Sequence, residues 1–296
     1  MAELNNRNLS ESFKETTESV IHKLSGVDHN FQKKVIDNVF AFTSMAGGAG
    51  TTTLIVNVAY RLATMGLSTL VIDLNIAYPA VHMYYGLDQA LADDIIRAIN
   101  GEKTFGECLQ YKMNRKIAFL VPLNRLVIDK AMTDEKTYGK NLSELIEQAA
   151  SLFDVILIDI PSHGEVDYEL SNTALFKSDF IYCVIDVNVV CVCTLTRFPK
   201  NLNALGIPTQ NIKYVMNKRT EMFYPMRFFK QLGIELEALL PYESGIVESA
   251  LRGQVFLDKG ASTSRQAVQF VDGLNKLTQA MLRNGGYVDS GRKKND

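Results

Sequence analysis

Six short apolar runs, separated by segments of helical periodicity, constrain the fold more than any other feature of this sequence. They are Val39 to Thr43, Thr69 to Asp73, Ile117 to Val121, Val155 to Ile160, Phe180 to Asp186 and Ile212 to Met216. Each has the length of a strand, and near-continuous apolarity is the pattern of a strand covered on both faces. Between them, Thr52 to Met65, Leu91 to Ile99, Leu142 to Phe153 and, broken by Pro199, Leu195 to Leu205 read as helices. Strands alternating with helices of this length predict an α/β fold: a doubly wound, mostly parallel sheet with helices on both faces and right-handed crossovers. A last helix over Thr263 to Arg283 puts Val268, Val271, Leu274, Leu277 and Met281 on one side, ready to pack on that sheet.

The ends differ from this middle. Residues 1–36 form a polar arm in which Phe13, Val20, Ile21 and Leu24 make one weak amphipathic stretch, and residues 285–296 read as a flexible charged tail after Asn284-Gly285-Gly286. One domain, 37–284, is expected between them. The chain has 296 residues, 47% hydrophobic and 22% charged, enough to bury a core without disulfide or metal support. Its net charge of −2 argues against a specific nucleic-acid partner or a tight hold on acidic lipid. Cys191 and Cys193 lack the second pair or nearby histidine that a zinc site needs, so Cys183, Cys191 and Cys193 read as core hydrophobes. Met1 to Ser12 lacks the apolar stretch of a signal peptide, and no run is long enough to span a membrane, so a cytoplasmic protein is expected.

The chemistry concentrates where the first long strand ends. Val39 to Thr43 runs into Ser44-Met45-Ala46-Gly47-Gly48-Ala49-Gly50-Thr51-Thr52-Thr53, and a helix follows at once. Strand, glycine-rich turn and helix is the geometry that turns successive backbone N–H groups toward a phosphate. Gly47, Gly48 and Gly50 let the backbone approach an anion closely, and Thr52 stands where a hydroxyl ligates Mg²⁺.

This segment, with Asn57 and Ala59 in the helix, resembles the deviant Walker A loop of the ParA/MinD superfamily of P-loop ATPases, which reads K-G-G-x-G-K-[ST]. Ala46 stands at the position of the first lysine and Thr51 at that of the second, so both cations are absent. Val71-Ile72-Asp73-Leu74-Asn75 resembles the family's D-x-D switch, with an amide, Asn75, where the second carboxylate would position the attacking water. Asp154 and Val155 to Pro161 are similar to the Walker B strand and retain Asp159 as an indirect Mg²⁺ ligand. Asn217-Lys218 is similar to the adenine-recognition asparagine and its neighbour, and Leu240-Pro241-Tyr242 resembles the turn beside the base. The resemblance covers residues 37–283.

What it implies is a site for ATP and Mg²⁺ built from Ala46 to Thr53, Asp73, Asn217, Lys218 and Pro241, with Thr52 and Asp159 on the metal side and no assignable catalytic residue. Losing well-placed charges from a phosphoryl-transfer site attacks its main catalytic term, so slow hydrolysis or none is expected. The TadZ/CpaE group of pilus-assembly localisation proteins resembles this chain in replacing the loop lysine, and in the stretch Asp73 to Pro79, Gly86-Leu87 and Leu91-Ala92-Asp93. That likeness implies a homodimeric organiser with protein partners in a pilus, secretion or polar-localisation system, drawn to a pole or the inner membrane face by those partners. Two alternatives stand beside it. A DNA-partition ParA needs turnover and a basic face, for which Lys218, Arg219, Arg227 and Lys230 are a modest group. A capsule-type tyrosine kinase shares Pro79, His82 and Gly86-Leu87 but lacks the lysine, the second aspartate and the tyrosine-rich tail.

Overall fold

The computed structural model describes residues 31–33, 37–87, 95–122, 135–162, 168–220, 226–259 and 264–289. The arm up to residue 30, with its amphipathic stretch, and the start of the helix expected from Leu91 lie outside them. In chain order the strands are β1 (Phe31–Lys33), β2 (Val39–Ser44), β3 (Thr69–Asp73), β4 (Gln110–Lys112), β5 (Ile117–Leu120), β6 (Val155–Asp159), β7 (Phe180–Ile185), β8 (Ile212–Arg219), β9 (Leu236–Pro241) and β10 (Tyr287–Asp289). The helices used below are α1 (Thr51–Thr64), α2 (Val81–Tyr85) and α3 (Arg265–Asn284).

Eight strands make one sheet in the order β4-β5-β3-β6-β2-β7-β8-β9. All neighbours are parallel except the β4–β5 edge pair. The six expected runs are its six central strands. Every residue of β2, β3, β5, β6 and β7 is buried, which is why their sequences show no polar alternation. Two edge strands escaped the sequence reading: β4 is only half-buried, and β9 includes the segment read there as a turn beside Pro241. The stretch from Leu195 to Leu205 carries a helix only from Phe198, with Pro199 in its first turn, where the missing N–H costs nothing.

The amino ends of the strands are tied by side chains. Asn38 Nδ2 donates to the carbonyls of Ala150 and Phe153, Asp179 accepts from Val39 N, and Asp154 Oδ2 accepts from both Ser68 N and Ser68 Oγ. Asp154 therefore pins β6 to β3, far from the carboxyl ends. The boundaries drawn from sequence shift here. Phe31–Lys33, assigned to the arm, pairs antiparallel with Tyr287–Asp289, assigned to the tail. Tyr287 is buried, and its hydroxyl donates to the Asp154 carbonyl. An aromatic residue two positions past a helix-ending glycine looked like solvent-exposed tail; it closes the bottom of the core instead. Cys193 also departs from expectation, being exposed, while Cys108, Cys183 and Cys191 are buried. Among the described residues no helix is long and apolar enough to cross a membrane.

Candidate phosphate-binding site

The central strand β2 lies between β6 and β7, so the chain leaves β2 toward one half of the sheet and later returns to build the other. In an open α/β sheet, ligands bind outside the carboxyl ends of the strands at such a reversal. The glycine-rich loop leaves β2 at this point. It surrounds a cavity of about 350 Å³ lined by Gly47 to Thr53, with Ser44, Asn75, Ala80, Tyr84, Lys218 and residues Asp159 to Ser162.

The loop is held open by its backbone and by the neighbouring strand. Gly48 and Gly50 have φ of 82° and 90°, a region L side chains rarely adopt. A side chain on Gly48 would point into open space, whereas a Cβ on Gly50 would collide with Asn217 Nδ2. Gly50 is also the residue before α1. No side chain caps that helix and its first turn holds no acidic residue, so its positive end faces the cavity uncompensated. Burial of Leu54, Ile55, Val58, Ala59 and Leu62 fixes α1 against the sheet, which anchors the end of the loop that leads into it.

Two carboxylates stand beneath the loop. Asp73 and Asp159 end adjacent strands and are paired in register, so their side chains emerge side by side; both are buried. Asp73 accepts three backbone N–H bonds, from Asn75 at 2.9 Å and from Ala80 and Val81 at 3.2 Å. Asp159 Oδ2 accepts from the Thr52 hydroxyl at 2.6 Å. Burial pushes the Asp73 carboxyl up to about 6 against the pull of those N–H bonds. Asp159 is raised well above the ordinary carboxylate range, first by burial and then by the Asp73 charge, with the Thr52 bond opposing. Asp73 has more of the hydrogen bonds that favour the ionised form, so Asp159 is the more strongly raised of the two.

These residues fit a magnesium ion. A hydroxyl and a carboxylate within hydrogen-bond distance of each other, both on the cavity wall, are hard oxygen donors of the kind Mg²⁺ takes alongside phosphate oxygens and water. No group of three or more His, Cys, Asp or Glu among the described residues could hold a metal by itself. A metal here would be shared with a bound anion.

Ten of the residues singled out from the sequence line the cavity: Gly47 to Thr53, Asn75, Asp159 and Lys218. Ala46 does not; its carbonyl accepts from the Ser44 hydroxyl while its side chain packs on the core. Asp73, beside Asp159 in register, does not line the cavity either. Pro241 is buried at the end of β9, away from the cavity wall. Asn217, read from the sequence as a base-recognition residue, is buried and donates Nδ2 to the Ala49 carbonyl at 2.9 Å, so that donor braces the loop. Lys218 beside it donates to the Gly48 carbonyl. Asn75 closes a turn, its side-chain oxygen accepting from Tyr78 N at 3.2 Å. Tyr84 on α2 was not anticipated: its hydroxyl sits 2.9 Å from Thr53 Oγ1, on the cavity wall. Nothing in sequence distinguishes it from neighbouring Tyr85, which turns inward to the Val56 carbonyl. His82 is buried and its imidazole is held below its usual range, so it is a neutral core residue.

Comparison with known proteins agrees with this architecture. The family model described as "AAA domain" matches residues 37–213. The septum site-determining protein MinD of Thermotoga maritima is 23% identical over 223 residues, covering 73% of this chain and 79% of its own length. The Pyrococcus horikoshii MinD structure, complexed with Mg-ADP, superposes with a TM-score of 0.68 at 20% identity, covering 82% of this chain and 95% of that one. MinD in the MinC:MinD complex of Aquifex aeolicus gives 0.67 at 22% identity, covering 82% and 96%.

Proposed function

The chain belongs to the AAA-domain family of ParA/MinD-type P-loop ATPases, and from that premise we propose that it binds ATP and ADP with Mg²⁺, hydrolyses ATP slowly or not at all, and acts as a dimeric organiser of a surface machine. The observation that carries this reading is the composition of the cavity wall. It keeps the glycine cradle, the Thr52–Asp159 pair and the exposed helix start, yet among the described lining residues it has one cation, Lys218, and an amide, Asn75, in place of a base.

Binding and turnover draw on these parts unequally. Backbone N–H groups at the start of α1 hold phosphate oxygens without a side-chain cation. Thr52 and Asp159 present the oxygens that would hold Mg²⁺, which when bound neutralises phosphate charge. The Asn217 bond to Ala49 braces the loop from β8. Turnover asks more: a base or orienting group for water, and cations that stabilise charge as it develops. Asn75 cannot take a proton, and its oxygen is already engaged by Tyr78 N. Ala46 and Thr51 add no charge.

A protein that keeps nucleotide but not turnover suits a standing structural role, as in the TadZ/CpaE-like organisers of pilus or secretion systems. Recruitment to a pole or to the inner membrane face would then run through protein partners; MinD, of similar fold, forms a complex with MinC. A partition ATPase would need rapid turnover from the same depleted site. Calorimetric titration with Mg-ATP and Mg-ADP, run beside a phosphate-release assay, tests the reading. Saturable binding with phosphate release at background is expected. Absence of binding would reduce the loop to scaffold, and brisk release would return the chain to the working ATPases.

A further inference from the structure

We propose that Lys218 is the cation of this nucleotide site: an ammonium carried in from β8 takes over the phosphate-neutralising work that Ala46 and Thr51 no longer do. The inference rests on the nucleotide-binding reading above and goes further, naming the residue that makes binding feasible in a loop without lysine.

Four observations converge on it. Lys218 is the one lysine or arginine among the described residues lining the cavity. Its ammonium is seated on the loop, donating to the Gly48 carbonyl, while the preceding residue, Asn217, donates to the next carbonyl along, Ala49. The backbone is bent to deliver it: Lys218 has φ of 53°, an uncommon value for a long side chain, and the β8–β9 register shifts between Met216 and Arg219, on either side of it. Such a bulge re-aims a side chain that a regular strand would send elsewhere. The loop also lies against its stem, since a Cβ on Gly50 would stand in ordinary contact, 3.5 Å, with Lys218 Cε.

Charge balance supplies the need. Asp73 and Asp159 are buried beside a cavity meant for a polyphosphate, so apart from the helix start the protein side of the site is otherwise neutral or negative. An ammonium has three N–H donors, and the Gly48 carbonyl takes one, leaving two for phosphate oxygens. A hydrogen bond to a charged partner is worth about twice a neutral one, so this residue has a measurable share in affinity.

The test is titration of Mg-ADP into the full chain and its Lys218→Gln, Lys218→Met and Lys218→Arg variants at several salt concentrations, with thermal melting of each nucleotide-free protein as a check on folding. Gln keeps an N–H donor for the Gly48 carbonyl but carries no charge. Lys218→Gln and Lys218→Met are both expected to weaken binding by about 10- to 100-fold and to flatten its salt dependence, with Lys218→Arg close to wild type. Adding Thr51→Lys to Lys218→Gln should recover affinity, because it returns a cation to the loop. If Lys218→Gln binds within threefold of wild type with the same salt dependence, Lys218 is only a brace for the loop and the inference falls while nucleotide binding stands. If wild type itself takes up no Mg-ADP, both fall.

Discussion

Replacing Asp159 by Asn should stabilise the metal-free protein while destroying its response to Mg²⁺. The two buried carboxylates end adjacent strands in register, and Asp159 has its proton affinity raised by burial and by the Asp73 charge. A carboxyl whose pKa is raised on folding adds stability at low pH and loses it as pH climbs through the folded-state value. Above the ordinary carboxylate range, the native state must hold a proton that the unfolded chain releases, at about 1.4 kcal/mol per pH unit. Asparagine is close in shape to the protonated acid and its oxygen can still accept from Thr52, so it avoids this term; its extra N–H costs about 1–2 kcal/mol if unpaired. Urea denaturation in EDTA should therefore show a gain for Asp159→Asn that grows as pH rises above the ordinary carboxylate range, by up to about 1.4 kcal/mol per pH unit. Adding Mg-ADP should stabilise wild type and leave the variant unmoved. A variant less stable than wild type at every pH above the ordinary carboxylate range, or a gain that does not change with pH, would refute the raised proton affinity assigned to Asp159.

Three further outcomes follow from the same geometry. Gly50→Ala forces a Cβ onto a residue at φ 90° and against Asn217 Nδ2, and should cost about 2–4 kcal/mol of stability by denaturant midpoint together with most nucleotide binding. Thr51→Lys by itself should tighten nucleotide binding without restoring turnover, because Asn75 and Ala46 remain; rapid phosphate release from that variant would show that no base is needed at position 75. The loop has no lysine with which to sense a γ-phosphate across an interface, so light scattering should give the same dimer mass with and without ATP. A monomer that pairs only on adding ATP would contradict this.

The cavity wall also separates what was legible in the amino-acid order from what was not. The phosphate loop could be read because its chemistry is local: three glycines, a strand before and a helix after, all within fifteen residues. Asp73 and Asp159 could be read as strand-end carboxylates, but their register partnership, and with it the raised proton affinity, belongs to a pairing between segments 86 residues apart. Asn217 and Lys218 were noticed for their order along the chain and assigned to the base. Their bonds to consecutive loop carbonyls arise across 168 and 170 residues of separation. Tyr84 and Tyr287 were unreadable, since a tyrosine's side of a short helix or its place after a turn leaves no periodic trace.

The order of residues by itself determined the layered parallel sheet, because a strand buried on both faces must be apolar throughout and a crossover helix must alternate with it. It also determined that the loop carries no lysine. Only the folded chain decided where Lys218 brings its positive charge, which asparagine braces the loop, and that Phe31–Lys33 pairs with Tyr287–Asp289. Those outcomes depend on the sheet order β6-β2-β7-β8, which sets β8 one strand away from β2 and brings Lys218 to the phosphate loop; charge and hydrogen bonding act over a few ångströms of space, and distance in space is what the linear order does not contain.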